Sequence, residues 1–293
     1  MKKLLSLLLF VVLIFTSLGS AFALEAETSY FETESSELQN FSREIPVTFF
    51  KDHTPIVGEE AHNQLLSENP SPLSRDSIAV MVRINSVNGI LSYGYRVTSM
   101  TGSPPNRLTV TVTPQVNKHK NNAYSQYGSH TWYVNTNNLR VGYQETVDTY
   151  IGGTNYWRFQ MSGEIYYTGS TNFPVNYPDY GHSLMNKKGE VYPNICSSVV
   201  PQCVPEPGSL NWVKAPRDSY NKLRSAWDNT VRNKQWRPYI QQKYSLGANF
   251  NWDGIEGHHV HPLDLGGTNG PFDSIIPLRK SEHTPFTSWF VNY

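Results

Sequence analysis

Four of the nine histidines in the sequence are concentrated near its C-terminal end. His258, His259 and His261 lie within a span of four residues, and His283 follows 22 residues after His261. Neutral imidazole binds divalent cations, and it accepts a proton near neutral pH because its unperturbed pKa is about 6.5. Two histidines from different elements can therefore hold a metal ion while a third stays free to act as a base. This combination suits phosphodiester hydrolysis, in which a cation neutralises the charge of the transition state.

The elements around these histidines are predicted to be a hairpin followed by a helix. Alternating apolar residues indicate two strands, Gly-Gly and Asn-Gly pairs indicate a wide turn between them, and Thr-Pro indicates the start of a helix. The two predicted strands cover residues 255–263 and 274–278. The Gly-Gly pair is at 266–267, the Asn-Gly pair at 269–270 and the Thr-Pro pair at 284–285. Because adjacent residues of a strand face opposite sides, a local bend is needed to bring His258 and His259 to one site.

The segment 252–290 resembles the His-Asn-His nucleases, also called ββα-metal nucleases, and within them the DNases of colicins and related bacterial toxins. The residues that carry the resemblance are Glu256, His258, His259, Gly266, Gly267, Ile275, Ile276 and His283. The resemblance implies that His258 and His283 bind one divalent metal ion, whether magnesium, manganese, nickel or zinc. It also implies that His259 is the general base and that Glu256 orients a neighbouring arginine or histidine.

Two positions depart from the pattern of this family. The family's asparagine, which orients the general base, aligns best with Ser274, whose hydroxyl is a shorter partner for an imidazole. Asn269 lies five residues earlier, in the predicted turn, and could replace that asparagine only if the loop folds back. Thr287 stands where some relatives have a further histidine, so that His261 or water would complete the coordination of the metal.

A basic amphipathic helix is predicted just before this segment. Its apolar residues, three or four positions apart, are Tyr220, Leu223, Trp227 and Val231. This spacing predicts a helix that begins near Pro216 and ends before Pro238. Basic residues on its other face, together with the arginine just before Pro238, are candidates for contacts with a nucleic-acid backbone. They are Lys222, Arg224, Arg232, Lys234 and Arg237. The alternative for this helix is an ordinary amphipathic helix with a solvated face, packed by its aromatic residues. Separately, Arg237 or Arg279 is a candidate for stabilising the transition state.

The first residues have the pattern of a secretory signal peptide. Lys2 and Lys3 precede an apolar run over residues 4–15, and small residues at Ala21 and Ala23 precede the expected cleavage site. This run is shorter than the roughly 20 residues that span a bilayer. We therefore expect cleavage after Ala23 and a secreted, extracellular protein without a membrane span, with an uncleaved N-terminal anchor as the alternative.

The rest of the chain divides by composition, which is balanced overall at 24 basic and 24 acidic residues. The predicted fold class is α+β, with an antiparallel, sandwich-like β-rich domain and a C-terminal ββα-metal nuclease domain. The predicted segments are a signal peptide over 1–23, an acidic, partly flexible arm over 24–75, the β-rich domain over 76–170, a Pro-rich linker over 171–204 and the nuclease domain over 205–293. Cys196 and Cys203 form a close pair that predicts a disulfide in an exported chain, with half of a metal site as the alternative.

Together these features predict a secreted, metal-dependent endonuclease. The resemblance favours DNA over RNA as the nucleic-acid partner, and it leaves open an inhibitor protein as a second partner. The chain has no His-Glu-x-x-His signature, which disfavours a metallopeptidase. The alternative function is an exported β-rich binding or surface protein, in which the histidines form a structural or degenerate metal site.

Overall fold

The computed structural model describes residues 38–51, 54–58, 76–169, 174–178 and 181–293. The predicted signal peptide and the first part of the predicted acidic arm lie outside these residues. The described strands before the first helix are β1 (Ser42–Phe50), β2 (Ile56–Val57), β3 (Ser77–Val87), β4 (Ile90–Thr101), β5 (Arg107–Asn117), β6 (Ser125–Gln126), β7 (His130–Asn135), β8 (Gln144–Tyr150), β9 (Asn155–Tyr166), β10 (Val175–Tyr177) and β11 (Ser183–Met185).

These strands form two antiparallel sheets that share one hydrophobic core. The first sheet has the order β2-β1-β3-β4-β8, and the second has the order β10-β9-β5-β6, with β7 beside β5 and β11 beside β9. Alternation of apolar and polar residues turns the apolar side chains of each strand to one face. Val47 and Val82 of the first sheet lie in the same buried cluster as Val110 and Met161 of the second. The predicted α+β class with an antiparallel β-rich part is therefore confirmed.

The first sheet begins within the segment predicted as an acidic arm. β1 pairs with β3 along its whole length, and its side chains Ile45, Val47 and Phe49 are buried. The composition-based prediction over 24–75 missed this strand, because the glutamates that precede it dominate the segment while the apolar alternation is short. The core of the sheet thus extends upstream of the boundary predicted at residue 76.

One continuous helical segment follows the sheets. Its parts are α1 (Arg217–Ala226), a π-helical stretch (Trp227–Trp236) and α2 (Arg237–Lys243). The prediction that this helix ends before Pro238 is wrong. The amide of Arg237 bonds to the carbonyl of Arg232, five residues back. This wide turn accommodates Pro238, which lacks an amide hydrogen and would crowd a carbonyl four residues back.

The C-terminal residues form a two-stranded hairpin and a helix. These elements are β12 (Ile255–His259), β13 (Ile275–Arg279) and α3 (Lys280–Val291). The helix begins four residues before the predicted Thr284, because the Glu282 carboxylate accepts a hydrogen bond from the Arg279 amide and closes a capping box. In the part of the chain that the structure describes, no helix is long and apolar enough to cross a bilayer.

The hairpin and α3 pack directly against the β-rich part. Tyr156 and Tyr192 share one hydrophobic cluster with Trp289 of α3. The Trp289 indole also donates a hydrogen bond to the Glu190 carbonyl at 2.9 Å. The boundary predicted at residue 205 therefore does not coincide with a break in the packing.

The segment predicted as a Pro-rich linker is braced at both ends. Strands β10 and β11 add to β9 in the second sheet. Cys196 and Cys203 form the predicted disulfide, which is confirmed. The Val204 amide donates to the Ile195 carbonyl at 3.0 Å beside it. The crosslinked loop contacts the hairpin, since Ser197 donates to the carbonyl of Pro277.

Candidate functional site

The hairpin places two adjacent histidines at one cleft. His258 lies opposite Ile276 and His259 lies opposite Ile275 in the antiparallel register. Their rings point to different neighbours, as alternation along a strand requires. The His258 ring packs 4.4 Å from Phe286 of α3, and the His259 ring meets the π-helical stretch. Both nevertheless line the same cleft.

His258 and His283 form a pair of imidazoles. Their ring centroids are 5.3 Å apart, one on β12 and the other on the first turns of α3. Nδ1 of His283 lies 2.8 Å from Oε2 of Glu256. A carboxylate behind a histidine orients the ring and makes the other nitrogen a better ligand, a common arrangement around protein-bound metals. The role predicted for Glu256, orienting a neighbouring side chain, thus has a matching contact at His283.

The His258 side chain has an unusual electrostatic situation. It is only 2% exposed, and its Nε2 atom has no hydrogen-bond partner among the described residues. Burial lowers the pKa of His258 well below its ordinary value, and the neighbouring His283 lowers it further. Burial also lowers the pKa of His283, although the Glu256 carboxylate opposes this effect. Both imidazoles are therefore held neutral, which is the form that binds metals.

The residues present fit a divalent metal that takes two imidazole ligands from the protein. The buried, unpartnered nitrogen of His258 would gain the partner that it lacks. Within the described ranges, no group of three or more His, Cys, Asp or Glu side chains is arranged to hold a metal. His261, which was predicted as an alternative to water for completing the coordination, lies with Nε2 2.8 Å from the Leu265 carbonyl and stacks on Trp212. The remaining positions would fall to water or substrate oxygens, as in catalytic sites that keep open positions.

His259 is held by an asparagine rather than by the predicted serine. Its Nε2 lies 3.3 Å from Oδ1 of Asn269, and the Asn269 amide donates to the Leu223 carbonyl at 2.8 Å. Ser274 instead donates its hydroxyl hydrogen to the Pro271 carbonyl at 2.7 Å. The loop between the strands folds back, so that Asn269 reaches His259 despite its position in the sequence.

The surroundings of His259 keep its imidazole neutral. Burial lowers the pKa of His259 to about 4, and the hydrogen bond with Asn269 opposes this shift. Trp227 packs edge-on against the ring, with centroids 4.6 Å apart. Gly257 makes that contact possible, because a Cβ atom there would lie 2.5 Å from the Trp227 ring. A neutral imidazole at the cleft can accept a proton from water.

The cleft itself has a volume of about 310 Å³ and two helical walls. Tyr220 and Arg224 of α1 line one side, and Thr287, Phe290 and Val291 of α3 line another. The loop after β12 adds Leu263 and Asp264. The site thus offers a base, a candidate metal pair, one guanidinium and an apolar wall within one opening.

Most of the predicted basic residues lie away from this cleft. Of Arg224, Arg232, Lys234, Arg237 and Arg279, the structure brings Arg224 alone to the cleft lining. Arg237 lies 5.2 Å from the centre of the Trp252 ring, and Arg279 donates to Ser198 at 3.1 Å. Arg232 lies 3.9 Å from Asp228. Lys234 is exposed on the π-helical stretch.

Two residues of the site were not assigned to it from the sequence. Tyr220 was interpreted as part of the apolar face of a helix, yet it lines the cleft one turn from Arg224. Its spacing of four residues from a basic candidate was the available signal. Asn269 was weighed only as a substitute, and its place in an Asn-Gly turn was the signal for a loop that folds back.

Comparisons of the chain with protein-family models, with curated proteins and with solved structures find no match.

Proposed function

We propose that this protein is a secreted, metal-dependent endonuclease that hydrolyses phosphodiester bonds of nucleic acid. The observation that carries the proposal is the juxtaposition of two units in one cleft. One unit is the His258–His283 pair with Glu256 behind His283, and the other is His259 held by Asn269. The resemblance of 252–290 to His-Asn-His nucleases supports the same assignment, and the disulfide and the N-terminal pattern support export.

In this mechanism His259 takes a proton from the attacking water. Its low pKa keeps it unprotonated at neutral pH, and Asn269 holds the ring so that it does not rotate out of reach. The bond that forms joins the water oxygen to phosphorus, and the bond that breaks joins phosphorus to the leaving oxygen of the sugar. The leaving oxygen takes up a proton from solvent, and His259 releases its proton to solvent after the step. General-base catalysis of this kind contributes about 10²- to 10⁴-fold to a rate.

The remaining groups bind and orient the phosphate. His258 and His283 would hold the metal ion, with Glu256 orienting His283. When bound there, a divalent cation neutralises charge on the phosphate oxygens and on the leaving oxygen. Arg224 is placed to bind a further phosphate oxygen, since its bond through Nε to Asp228 leaves its other N–H groups available.

Metal add-back tests this proposal. The chain from residue 24 onward is treated with chelator and supplied with magnesium, manganese, nickel or zinc. Cleavage of supercoiled plasmid, single-stranded DNA and RNA is then followed on gels. We expect hydrolysis that is abolished by chelation and restored by at least one metal.

The matched variants for that assay are His258→Ala and His261→Ala. His258→Ala should lose both metal binding, measured by calorimetry, and cleavage. His261→Ala should keep its metal, because His261 is already engaged with Leu265 and Trp212. A folded protein that cleaves none of the three substrates with any metal would instead favour the binding or surface protein with a structural metal site.

A second prediction separates Asn269 from Ser274. Asn269→Ala should reduce the cleavage rate by about 10- to 100-fold, the usual cost of removing a group that orients a functional histidine. Metal affinity should stay unchanged, because Asn269 contacts His259 and not the His258–His283 pair. Ser274→Ala is the control and should retain activity, since its hydroxyl bonds only within its own turn. The reverse result, with Ser274→Ala inactive and Asn269→Ala active, would contradict the loop geometry.

A further inference from the structure

One wall of the cleft presents an aromatic ring beside a cation. Tyr220 and Arg224 are four residues apart on α1, hence on the same face of the helix, and both line the cleft. The same lining includes Phe290 and Val291 of α3, and Val291 is 79% exposed. A flat, apolar group that enters the cleft can therefore contact the Tyr220 ring and the apolar side chains of α3.

In the part of the chain that the structure describes, Tyr220 has no side-chain hydrogen-bond partner and no aromatic partner. Phe290, the other aromatic residue of the lining, packs against Trp212, Trp289 and Tyr293. Phe290 is thus part of the protein core, whereas Tyr220 is available for a ligand.

As far as the structure describes it, the lining of the cleft contains one permanently cationic side chain, that of Arg224. Proteins that grip double-stranded nucleic acid neutralise many phosphates along both strands. Here Arg224 and Asp264 both line the cleft, while Arg237 and Arg279 are engaged with Trp252 and Ser198. Single-strand recognition needs fewer cations, because bases stack on aromatic side chains at any sequence.

We propose that the preferred substrate is single-stranded nucleic acid, with Tyr220 stacking on the base next to the phosphate that Arg224 binds. An unpaired base can leave its neighbours and enter the cleft, whereas a paired base in a duplex cannot without unstacking. The proposal rests on the proposed function for the identity of the ligand. Its stacking contact can nevertheless be measured without any cleavage.

The test is a binding experiment with the otherwise intact chain carrying His259→Ala, in chelator, so that no hydrolysis occurs. Fluorescence anisotropy compares a labelled single strand of about 12 nucleotides, a typical site size, with the duplex of the same sequence. We expect the single strand to bind at least about tenfold more tightly. Tyr220→Leu should weaken that binding by roughly tenfold, and Tyr220→Phe should retain it because the π face remains.

Two controls assign the effect to the cleft. Tyr133→Leu removes a tyrosine that is 70% exposed on β7 and should leave binding unchanged. Arg224→Gln should reduce the salt dependence of single-strand binding by about 0.7 in the slope of log K against log salt, whereas Tyr220→Leu should leave that slope unchanged.

The inference is overturned if the duplex binds as tightly as the single strand or more tightly. It is also overturned if Tyr220→Leu and Tyr133→Leu bind the single strand with equal affinity. If no cleavage is seen in the metal add-back assay while the preference for single strands is observed, only the endonuclease proposal is refuted. The two proposals therefore fail by different observations.

Discussion

His259→Ala is expected to reduce the rate of phosphodiester cleavage by about 10²- to 10⁴-fold, the contribution of a positioned general base. The reason lies in the surroundings of the ring. Asn269 holds one nitrogen, Trp227 packs edge-on against the ring, and burial keeps it unprotonated at neutral pH. Neither alanine nor bulk water supplies an equally placed proton acceptor.

The same variant should keep its metal affinity. The pair that would bind the metal is His258 and His283, whose rings are 5.3 Å apart, and the contacts of His259 run to other residues. Single-turnover rates at saturating metal measure the loss of chemistry, and calorimetry measures the metal affinity. His259→Ala that loses its metal, beside His258→Ala that keeps it, would mean that the two adjacent histidines have exchanged roles.

Trp289→Ala is expected to lower the free energy of unfolding by about 3–5 kcal/mol, the usual cost of truncating a fully buried tryptophan. The side chain has no exposed surface and packs 5.0 Å from Tyr192, edge to face. Its indole also donates to the Glu190 carbonyl, which the variant would leave without that donor. Because α3 carries His283, the site should be disturbed together with the stability.

Thermal unfolding followed by circular dichroism measures this prediction. For a chain of this length the melting temperature should fall by on the order of 10 °C. Ser288→Ala, exposed on the same helix, is the control and should change the stability by less than about 0.5 kcal/mol. An unchanged melting temperature in Trp289→Ala would show that α3 does not depend on its packing against the β-rich part.

The elements around the site were largely predictable because they follow local rules. Alternation around His258 and the Gly-Gly and Asn-Gly pairs predicted a hairpin, and the structure has β12, a turn and β13 there. The disulfide between Cys196 and Cys203 was predictable from their close spacing in a chain that is expected to be exported. Predictions that relied on composition or on a single residue did less well, namely the acidic arm that contains β1 and the helix end before Pro238.

Contacts within the site were less predictable because they join residues that are distant in sequence. The pairing of His259 with Asn269 depends on the path of the loop, which Leu223 of α1 fixes by accepting a bond from the asparagine amide. Alignment by position favoured Ser274, since a motif counts residues along the chain and does not describe how a loop folds back. The hydrogen bond from Arg279 to Ser198 likewise depends on a segment that is distant in the sequence.

The sequence by itself thus determined the residue types that can do chemistry and the local elements that carry them. The four histidines, the carboxylate and the glycine pairs are read directly from the sequence. Local sequence patterns around them predict two strands and a helix. Tertiary structure alone decided which side chains meet. Burial between α3 and β12 leaves His258 neutral, with an Nε2 atom that has no hydrogen-bond partner among the described residues. The fold also brings Tyr220 and Arg224 of α1 to the cleft, and Asn269 to His259. The physical reason is that burial and hydrogen-bond partners are properties of the packed chain, and local sequence patterns do not encode them.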